Sequence, residues 1–189
     1  MKSFFVLILV LFTRTTFCQI PDTTLVKLFE DFTPSQLLMF MSYDLKTNEL
    51  TKEYSMALSY KIPILNPVSN QKITSFFGYR IHPITRELKK HEGIDMKAKR
   101  GQAIYAAADG EVVEMSYHQF LGNYIKIKHL FGFMSVYGHL EATKVEINSY
   151  IYQGQLIGFC GNSGTTTGVH LHFSIIYHGQ YLNPYSFIF

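Results

Sequence analysis

Cysteine and long hydrophobic runs are scarce in this sequence. Cys18 and Cys160 are its two cysteines among 189 residues, and loss of Cys18 with a cleaved leader would leave Cys160 without a disulfide partner. We then expect Cys160 to be a small buried residue. The apolar run Phe4–Phe12 has nine residues, far fewer than the roughly 20 that span a bilayer. The sequence predicts neither a disulfide-stapled domain nor a stable membrane span.

The first 18 residues have the layout of a secretory signal. Lys2 precedes the apolar run Phe4–Phe12, a short polar stretch follows, and a cut after Cys18 would satisfy the small-residue rule. Lipidation of Cys18 is the competing interpretation, but Phe17 is a poor residue to stand directly before a lipidated cysteine. We expect residues 1–18 to be a signal peptide and the mature protein to be exported, to the periplasm or the medium.

Charge and motif content argue against nucleic-acid binding and against a nucleotide-binding loop. The net charge is +3, and the basic residues between 87 and 100 alternate with acidic ones, which is typical of a solvated rim rather than a nucleic-acid surface. The run Gly158–Gly168 lacks the lysine of a phosphate-binding loop. We interpret it as a tight loop in which glycines permit positive φ.

Residues 19–66 differ in character from the rest of the chain. Thr33-Pro34-Ser35-Gln36 has the form of a capping box with proline at the first helical position, so we predict a short amphipathic helix there. The stretch Ile62–Pro67 is typical of an extended linker. We expect this segment to pack on the following domain, and we also consider that it covers an active-site groove as a latency segment.

From residue 67 to 189, short apolar runs alternate with glycine, asparagine and aspartate. They lack a helical period, and strands of this length favour an antiparallel all-β domain. The predicted strands are Ile104–Ala107, Glu111–Met115, Tyr124–Ile127, Phe133–Tyr137, Gln155–Phe159 and Val169–Ile176.

Two histidines share one face of the last predicted strand. The stretch Val169–Ile175 alternates apolar and polar residues, so the imidazoles of His170 and His172 point the same way while the apolar face anchors the strand. His91 and Asp95 are four residues apart, but the glycines around them argue against a helix. We predict a loop that enters a strand.

These residue types in this number point to metal chemistry. Two imidazoles and one carboxylate are the ligand set of a catalytic zinc ion with an open position for water. The same set also describes the facial triad of non-haem iron oxygenases. His139, in Y-G-H-L, adds a further imidazole for acid-base work. We expect the remaining histidines to be surface or hydrogen-bonded residues: His82, His118, His129 and His178.

From Ile73 to Ile175 the chain resembles the lysostaphin-type, LytM-like zinc metallo-endopeptidases. The landmarks occur in order: I-T-S-F-F-G-Y-R-I-H-P-I-T, K-K-H-E-G-I-D-M, I-Y-A-A-A-D-G-E-V-V, N-Y-I-K-I-K-H, V-Y-G-H-L and Q-L-I-G-F-C-G-N-S-G-T-T-T-G-V-H-L-H-F. A single G-H-L or H-x-H is weak, but the ordered series is specific. The resemblance implies the same β architecture, with a metal in the floor of a groove.

The resemblance also implies roles for five residues. The zinc ligands would be His91, Asp95 and His172, and the catalytic histidines would be His139 and His170. The chain lacks H-E-x-x-H, so these two histidines remain to take the water's proton, to stabilise the oxyanion and to protonate the leaving amine. We leave open how they divide those roles.

The implied function is that of a secreted zinc endopeptidase that cuts peptide stems or cross-bridges of bacterial peptidoglycan. The alternative is a non-catalytic LytM-type wall-binding module that activates another cell-wall hydrolase, although all five positions are filled. Arg80 and Tyr79 are secondary candidates for the cleft, as donors to a peptide carbonyl or carboxylate. Glu92 adjoins a ligand and is expected to face solvent, because adjacent strand residues face opposite ways.

Overall fold

The computed structural model describes residues 21–43, 49–69, 72–81 and 86–189. These residues form two units, with the boundary between Leu58 and Ser59. The predicted signal peptide with Cys18 lies outside the described residues, and so does His82. Within the described part of the chain, no helix is both long enough and apolar enough to cross a membrane.

Three helices begin the described chain: α1 (Asp22–Phe29), α2 (Pro34–Tyr43) and α3 (Glu49–Lys61). Helix α2 starts at the predicted capping box. The Thr33 N–H donates to Gln36 Oε1 at 2.8 Å, and the Gln36 N–H donates back to Thr33 Oγ1 at 3.4 Å. The predicted helix is therefore confirmed together with its cap, whereas the other two helices were not predicted.

The remainder is built of antiparallel strands, as the sequence predicted. They are β1 (Ile73–Ser75), β2 (Gly78–Ile81), β3 (Leu88–His91), β4 (Ile94–Lys97), β5 (Ala103–Tyr105), β6 (Gly110–His118), β7 (Gly122–Lys128), β8 (Phe133–Thr143), β9 (Tyr150–Ile151), β10 (Leu156–Cys160), β11 (His170–Tyr177) and β12 (Gln180–Leu182). A 3₁₀ turn (Leu130–Gly132) precedes β8, and a short helix, α4 (Tyr185–Ile188), follows β12.

One sheet carries most of these strands. Ten of the strands in the described residues belong to it, along the path β1-β4-β11-β8-β7-β6-β9, with β12 on β11 and with β10 joining β5 to β8. Strands β2 and β3 form a separate hairpin. Strand β11 therefore lies between β4 and β8, and side chains from these three strands can meet on one face.

The core is formed by the apolar side chains that alternate along the central strands. Tyr137 of β8 and Phe173 of β11 are fully buried, with ring centroids 5.3 Å apart. The apolar face of β11 also buries Leu171 and Ile175 completely. Their burial anchors β11 and so fixes the direction of the polar residues on its other face.

A chain of polar groups crosses this core. His129 Nδ1–H donates to the Asp109 carbonyl at 2.7 Å, and His129 Nε2 lies 2.7 Å from Ser135 Oγ. Ser135 Oγ is 2.9 Å from the Tyr137 hydroxyl, which accepts the Ala107 N–H at 2.8 Å. Each polar group in this chain of hydrogen bonds has a partner, as burial requires. His129 is thus a hydrogen-bonded core residue, in agreement with its predicted class.

The six predicted strands all overlap observed ones, but several short strands were missed. The predicted run Phe133–Tyr137 ends six residues before β8 does, at Thr143. The hairpin strands β2 and β3 have four residues each, and β9 and β12 have two and three. Runs this short show too few alternations for a period to be read from the sequence.

Candidate metal centre and cleft

Strand β11 presents a row of polar side chains on the face opposite the core. His170, His172 and Ser174 alternate with buried apolar residues, and His172 Nε2 lies 2.9 Å from Ser174 Oγ. His170 Nε2 and His172 Nδ1 lie 3.5 and 3.1 Å from the same oxygen, Oδ1 of Asp95. The prediction that both imidazoles point the same way is confirmed.

Asp95 is held opposite this row by strand pairing. In the β4–β11 register it lies directly across from His172. His91 is the last residue of β3, so both residues lie in strands, and His91 is not in the loop that the sequence predicted. Gly93 connects them: a Cβ there would lie 2.4 Å from the Phe173 carbonyl oxygen and 2.6 Å from Ser174 Oγ. Glycine is required for this close approach.

Three donor atoms converge at one point. His91 Nε2, Asp95 Oδ1 and His172 Nδ1 are each 3.1 Å from the other two. Zinc bonds of about 2.0–2.1 Å in tetrahedral geometry separate two ligand atoms by roughly 3.3 Å. The spacing of the three atoms therefore fits a zinc ion.

The outer nitrogens of these imidazoles support the same interpretation. His91 Nδ1 donates to the Phe76 carbonyl at 2.8 Å, and His172 Nε2 is hydrogen-bonded with Ser174 Oγ. A ring whose outer nitrogen carries the proton turns a lone pair inward, which is the arrangement of metal-ligating histidines. The inward lone pair of His91 and the Asp95 oxygen face each other and favour a cation between them.

The charges of the group agree with this chemistry. Burial by itself would raise the pKa of Asp95, but the imidazoles of His170, His172 and His91 outweigh it and hold that pKa far below its ordinary value. Burial lowers the pKa of His172 against the opposing influence of Asp95. At neutral pH the site offers an ionised carboxylate and a neutral imidazole, as a divalent cation requires.

His139 lies at an irregular point of β8. Its φ is +60°, in the left-handed region that non-glycine residues rarely adopt. The β7–β8 register shifts at this point, where the His139 N–H donates to the Leu121 carbonyl at 2.6 Å and its own carbonyl accepts the Gly161 N–H at 2.9 Å. A bulge re-aims one side chain out of the regular alternation. Here it turns His139 toward His170, with ring centroids 4.5 Å apart.

Backbone carbonyls hold both of these rings. His139 Nδ1 donates to the Ser163 carbonyl at 2.8 Å, and His170 Nδ1 donates to the Gly168 carbonyl at 2.7 Å. Each Nε2 is then the nitrogen that can gain or lose a proton. Burial lowers the pKa of His139 to about 4. Burial opposes protonation of His170 too, but the Asp95 carboxylate outweighs it and raises the pKa.

The five residues border a cleft of about 770 Å³. Arg80 lines it, and its Nη2 lies 3.5 Å from Asp95 Oδ2. Tyr79 is 76% exposed and does not line it, since the alternation of β2 turns the two side chains opposite ways. Glu92 is exposed, as predicted, but it also borders the cleft and hydrogen-bonds Tyr181, whose pKa is raised first by burial and then by this carboxylate.

Sequence reasoning missed the residues that hold the catalytic candidates in place. Ser163 and Thr166 belong to the glycine-rich loop, where Gly164 has the expected positive φ of +75°. Ser163 Oγ accepts the Asn123 N–H at 3.0 Å and donates to the Leu140 carbonyl at 2.8 Å. The repeated serine and threonine residues before H-L-H were the sequence signal that could have indicated this supporting role.

The remaining cysteine and histidines of the described chain lie outside the group of five site residues. Cys160 is fully buried, and burial raises the pKa of its thiol to about 11, so it is an inert core residue as predicted. His118 borders the cleft at its rim, where its Nδ1 accepts the Phe120 N–H at 3.3 Å. His178 occupies the turn before β12, with φ of +45°.

The family model described as Peptidase family M23 matches residues 89–184. The chain belongs to peptidase family M23. The match runs from β3 to the residue before α4 and contains all five residues of the candidate site. The predicted resemblance to lysostaphin-type enzymes is thereby confirmed at the level of the family.

Two proteins similar to this chain carry the names of DD-peptidases. The chain is 39% identical over 120 residues to the peptidoglycan DD-endopeptidase ShyC of Vibrio cholerae. The aligned region covers 63% of this chain and 28% of ShyC. It is 37% identical over 122 residues to the DD-carboxypeptidase/endopeptidase Mpg of Neisseria meningitidis. That aligned region covers 65% of this chain and 28% of Mpg. The chain thus matches little more than a quarter of either relative.

Solved structures share the M23 fold. A zinc-containing peptidase from Vibrio cholerae aligns with a TM-score of 0.59 and 32% identity, over 62% of this chain and 37% of that one. The catalytic domain of lysostaphin from Staphylococcus simulans aligns with a TM-score of 0.55 and 27% identity, over 61% of this chain and 90% of that domain. The β architecture predicted from the sequence is confirmed.

Proposed function

We propose that this protein is an exported, zinc-dependent endopeptidase that hydrolyses peptides of bacterial peptidoglycan. The observation that carries the proposal is the triangle of His91 Nε2, Asp95 Oδ1 and His172 Nδ1, with sides of 3.1 Å, beside two further carbonyl-held histidines. A purely structural role would not require these five side chains to converge on one cleft. The names of ShyC and Mpg support a DD-linked amide as the bond that is cut.

The chemistry divides between the metal site and the two other histidines. Zinc, when held by His91, Asp95 and His172, lowers the pKa of water toward 7 and polarises an amide carbonyl. His139 is neutral at pH 7 because burial lowers its pKa, so its Nε2 takes the proton from the attacking water. His170, whose pKa is raised, is the better donor and stabilises the oxyanion or protonates the leaving amine.

Export and the division of the chain belong to the same proposal. Peptidoglycan lies outside the cytoplasm, so a signal peptide at residues 1–18 is consistent with the substrate. Residues 67–189 form the proposed peptidase domain and residues 19–66 the segment before it. Peptidoglycan peptides are the proposed partners, in the periplasm or the medium.

Digestion of peptidoglycan tests the function directly. Purified protein is incubated with peptidoglycan with and without a zinc chelator, beside the His139→Ala variant, and the released fragments are identified by mass spectrometry. We expect new amino termini within stem or cross-bridge peptides from the untreated protein and from neither control. Intact peptidoglycan after incubation with zinc-loaded protein would contradict the proposal and favour the role of an activating module.

A further inference from the structure

Arg80 lines the cleft beside Asp95, and its pairing with that carboxylate is loose. Its Nη2 lies 3.5 Å from Asp95 Oδ2, longer than the roughly 2.7–2.9 Å of a charge-assisted hydrogen bond. The other oxygen of Asp95 already faces the three imidazoles of His91, His170 and His172. Oδ1 is therefore engaged by imidazoles, and Arg80 faces Oδ2 at the longer distance.

One donor of this guanidinium, the buried Nε, lacks a hydrogen-bond partner within the described residues. Arginine has five N–H groups in a planar fork. The side chain is 30% exposed and lines the cleft. A partly exposed, planar set of donors at this point can receive a ligand from the cleft.

Other positive charges surround this cation. Arg80 lies directly opposite Lys89 in the hairpin register, and like charges across a strand pair are destabilising. Lys89 turns aside to Glu87, at 2.9 Å. Arg80 instead remains beside the metal site, whose net charge is positive when two neutral imidazoles and one carboxylate hold a divalent cation. An anionic group on the substrate would relieve this excess of positive charge.

We propose that Arg80 binds a free carboxylate on the leaving side of the scissile amide. This inference rests on the proposed function and narrows its substrate class. When a D-amino acid is joined to the amino group of a second D-centre, that centre keeps its own carboxylate one carbon from the amide nitrogen. Hydrolysis breaks the C–N bond, adds the water oxygen to the acyl carbon and returns a proton to the amine, and the carboxylate stays unchanged in the fork of Arg80.

Two kinds of substrate carry a carboxylate at this position, and they correspond to the two activities in the name of Mpg. A cross-link between two D-centres and a D-alanyl-D-alanine terminus both carry the carboxylate in this position. Arg80 therefore permits removal of a terminal residue as well as cleavage of a cross-link. Amides in the middle of a linear peptide lack the carboxylate and bind more weakly.

Binding of two matched peptides tests this role without relying on turnover. The zinc-loaded full chain carrying His139→Ala is titrated by calorimetry with acetyl-L-lysyl-D-alanyl-D-alanine and with its carboxy-terminal amide. We expect the free carboxylate to bind about tenfold to hundredfold more tightly, the range expected for hydrogen bonds to a charged group. Adding Arg80→Gln should reduce that ratio to about twofold or less, with zinc content unchanged.

Arg100→Gln is the matched control, because it makes the same substitution at an exposed arginine that does not line the cleft, and it should preserve the ratio. A ratio near one in the His139→Ala background, or failure of both peptides to bind, overturns the inference. A ratio that survives Arg80→Gln also overturns it, since the carboxylate then contacts another group such as the metal. Digestion of peptidoglycan by the wild-type chain decides the proposed function separately.

Discussion

The backbone carbonyl of Ser163 accepts a hydrogen bond from His139 Nδ1 at 2.8 Å. The Ser163 side chain in turn ties the glycine-rich loop to the backbones of Asn123 and Leu140. The loop thus determines which nitrogen of His139 faces the cleft, although Ser163 touches no metal-ligand candidate.

Removing the Ser163 hydroxyl should therefore affect catalysis more than metal binding. We expect Ser163→Ala to lower the free energy of unfolding by about 1–2 kcal/mol, because two part-buried groups lose their partner. We expect kcat to fall about tenfold as the His139 ring loses its fixed orientation. Zinc content and kcat are measured on the same preparation, and we expect the zinc content to be unchanged and kcat to be reduced. Ser149→Ala removes an exposed hydroxyl bond to Glu146 and is the control; equal kcat in the two variants would contradict this prediction.

Zinc analysis should distinguish the proposed metal ligands from the proposed catalytic histidines. Asp95→Asn and His172→Ala should lose most of the bound zinc, whereas His139→Ala and His170→Ala should retain it and lose about 10²–10⁴-fold in kcat. Zinc is measured by elemental analysis after dialysis. For comparison, His118→Ala alters a histidine at the rim of the cleft and should keep its zinc. Full zinc content in His172→Ala would exclude it as a ligand.

Gly93 offers a test of the packing behind the metal site. The Cβ of Gly93→Ala would lie 2.6 Å from Ser174 Oγ and 2.8 Å from His172 Nε2. Overpacking of this kind costs about 1–3 kcal/mol, and it should also weaken zinc binding because the ring of His172 must move. Denaturant unfolding and competitive zinc titration measure the two effects. Gly168→Ala, where an added Cβ meets no atom within 4 Å, should be unfolded at the same denaturant concentration as the wild type or higher.

His129 should make the folded protein sensitive to acid. Burial lowers its pKa from 6.5 to about 4 in the folded chain. Between these two values the unfolded chain binds the proton and the folded chain does not, so stability is present above pH 6.5 and is lost as the pH falls toward 4. The loss from this fully buried group amounts to about 3 kcal/mol.

Denaturant unfolding of metal-free protein at intervals between pH 7.5 and 4 measures this dependence. His129→Gln should be less stable at pH 7.5, because the chain of hydrogen bonds through Ser135 is broken. Its stability should fall less steeply with decreasing pH than that of the wild type. Parallel pH profiles for the two proteins would assign the acid sensitivity to other groups.

Part of the candidate site could be predicted because its signal is local. The alternation around His170 and His172 places both rings on one face in any strand of that sequence, and the structure has them there. The capping box at Thr33 is equally local. The hairpin β2–β3 was not predicted, because strands of four residues carry too little periodicity, and the position of Arg80 depends on that hairpin.

The sequence by itself determined the residue types of the site, the face shared by two of its histidines, the antiparallel β class and the family to which the chain belongs. Those properties follow from local alternation and ordered motifs. Only the tertiary structure decided that Asp95 lies across from His172, that a bulge turns His139 into the cleft, and that Ser163 holds it. Each of these depends on the register of strands distant in sequence, which is set by pairing across the whole sheet and has no local signal.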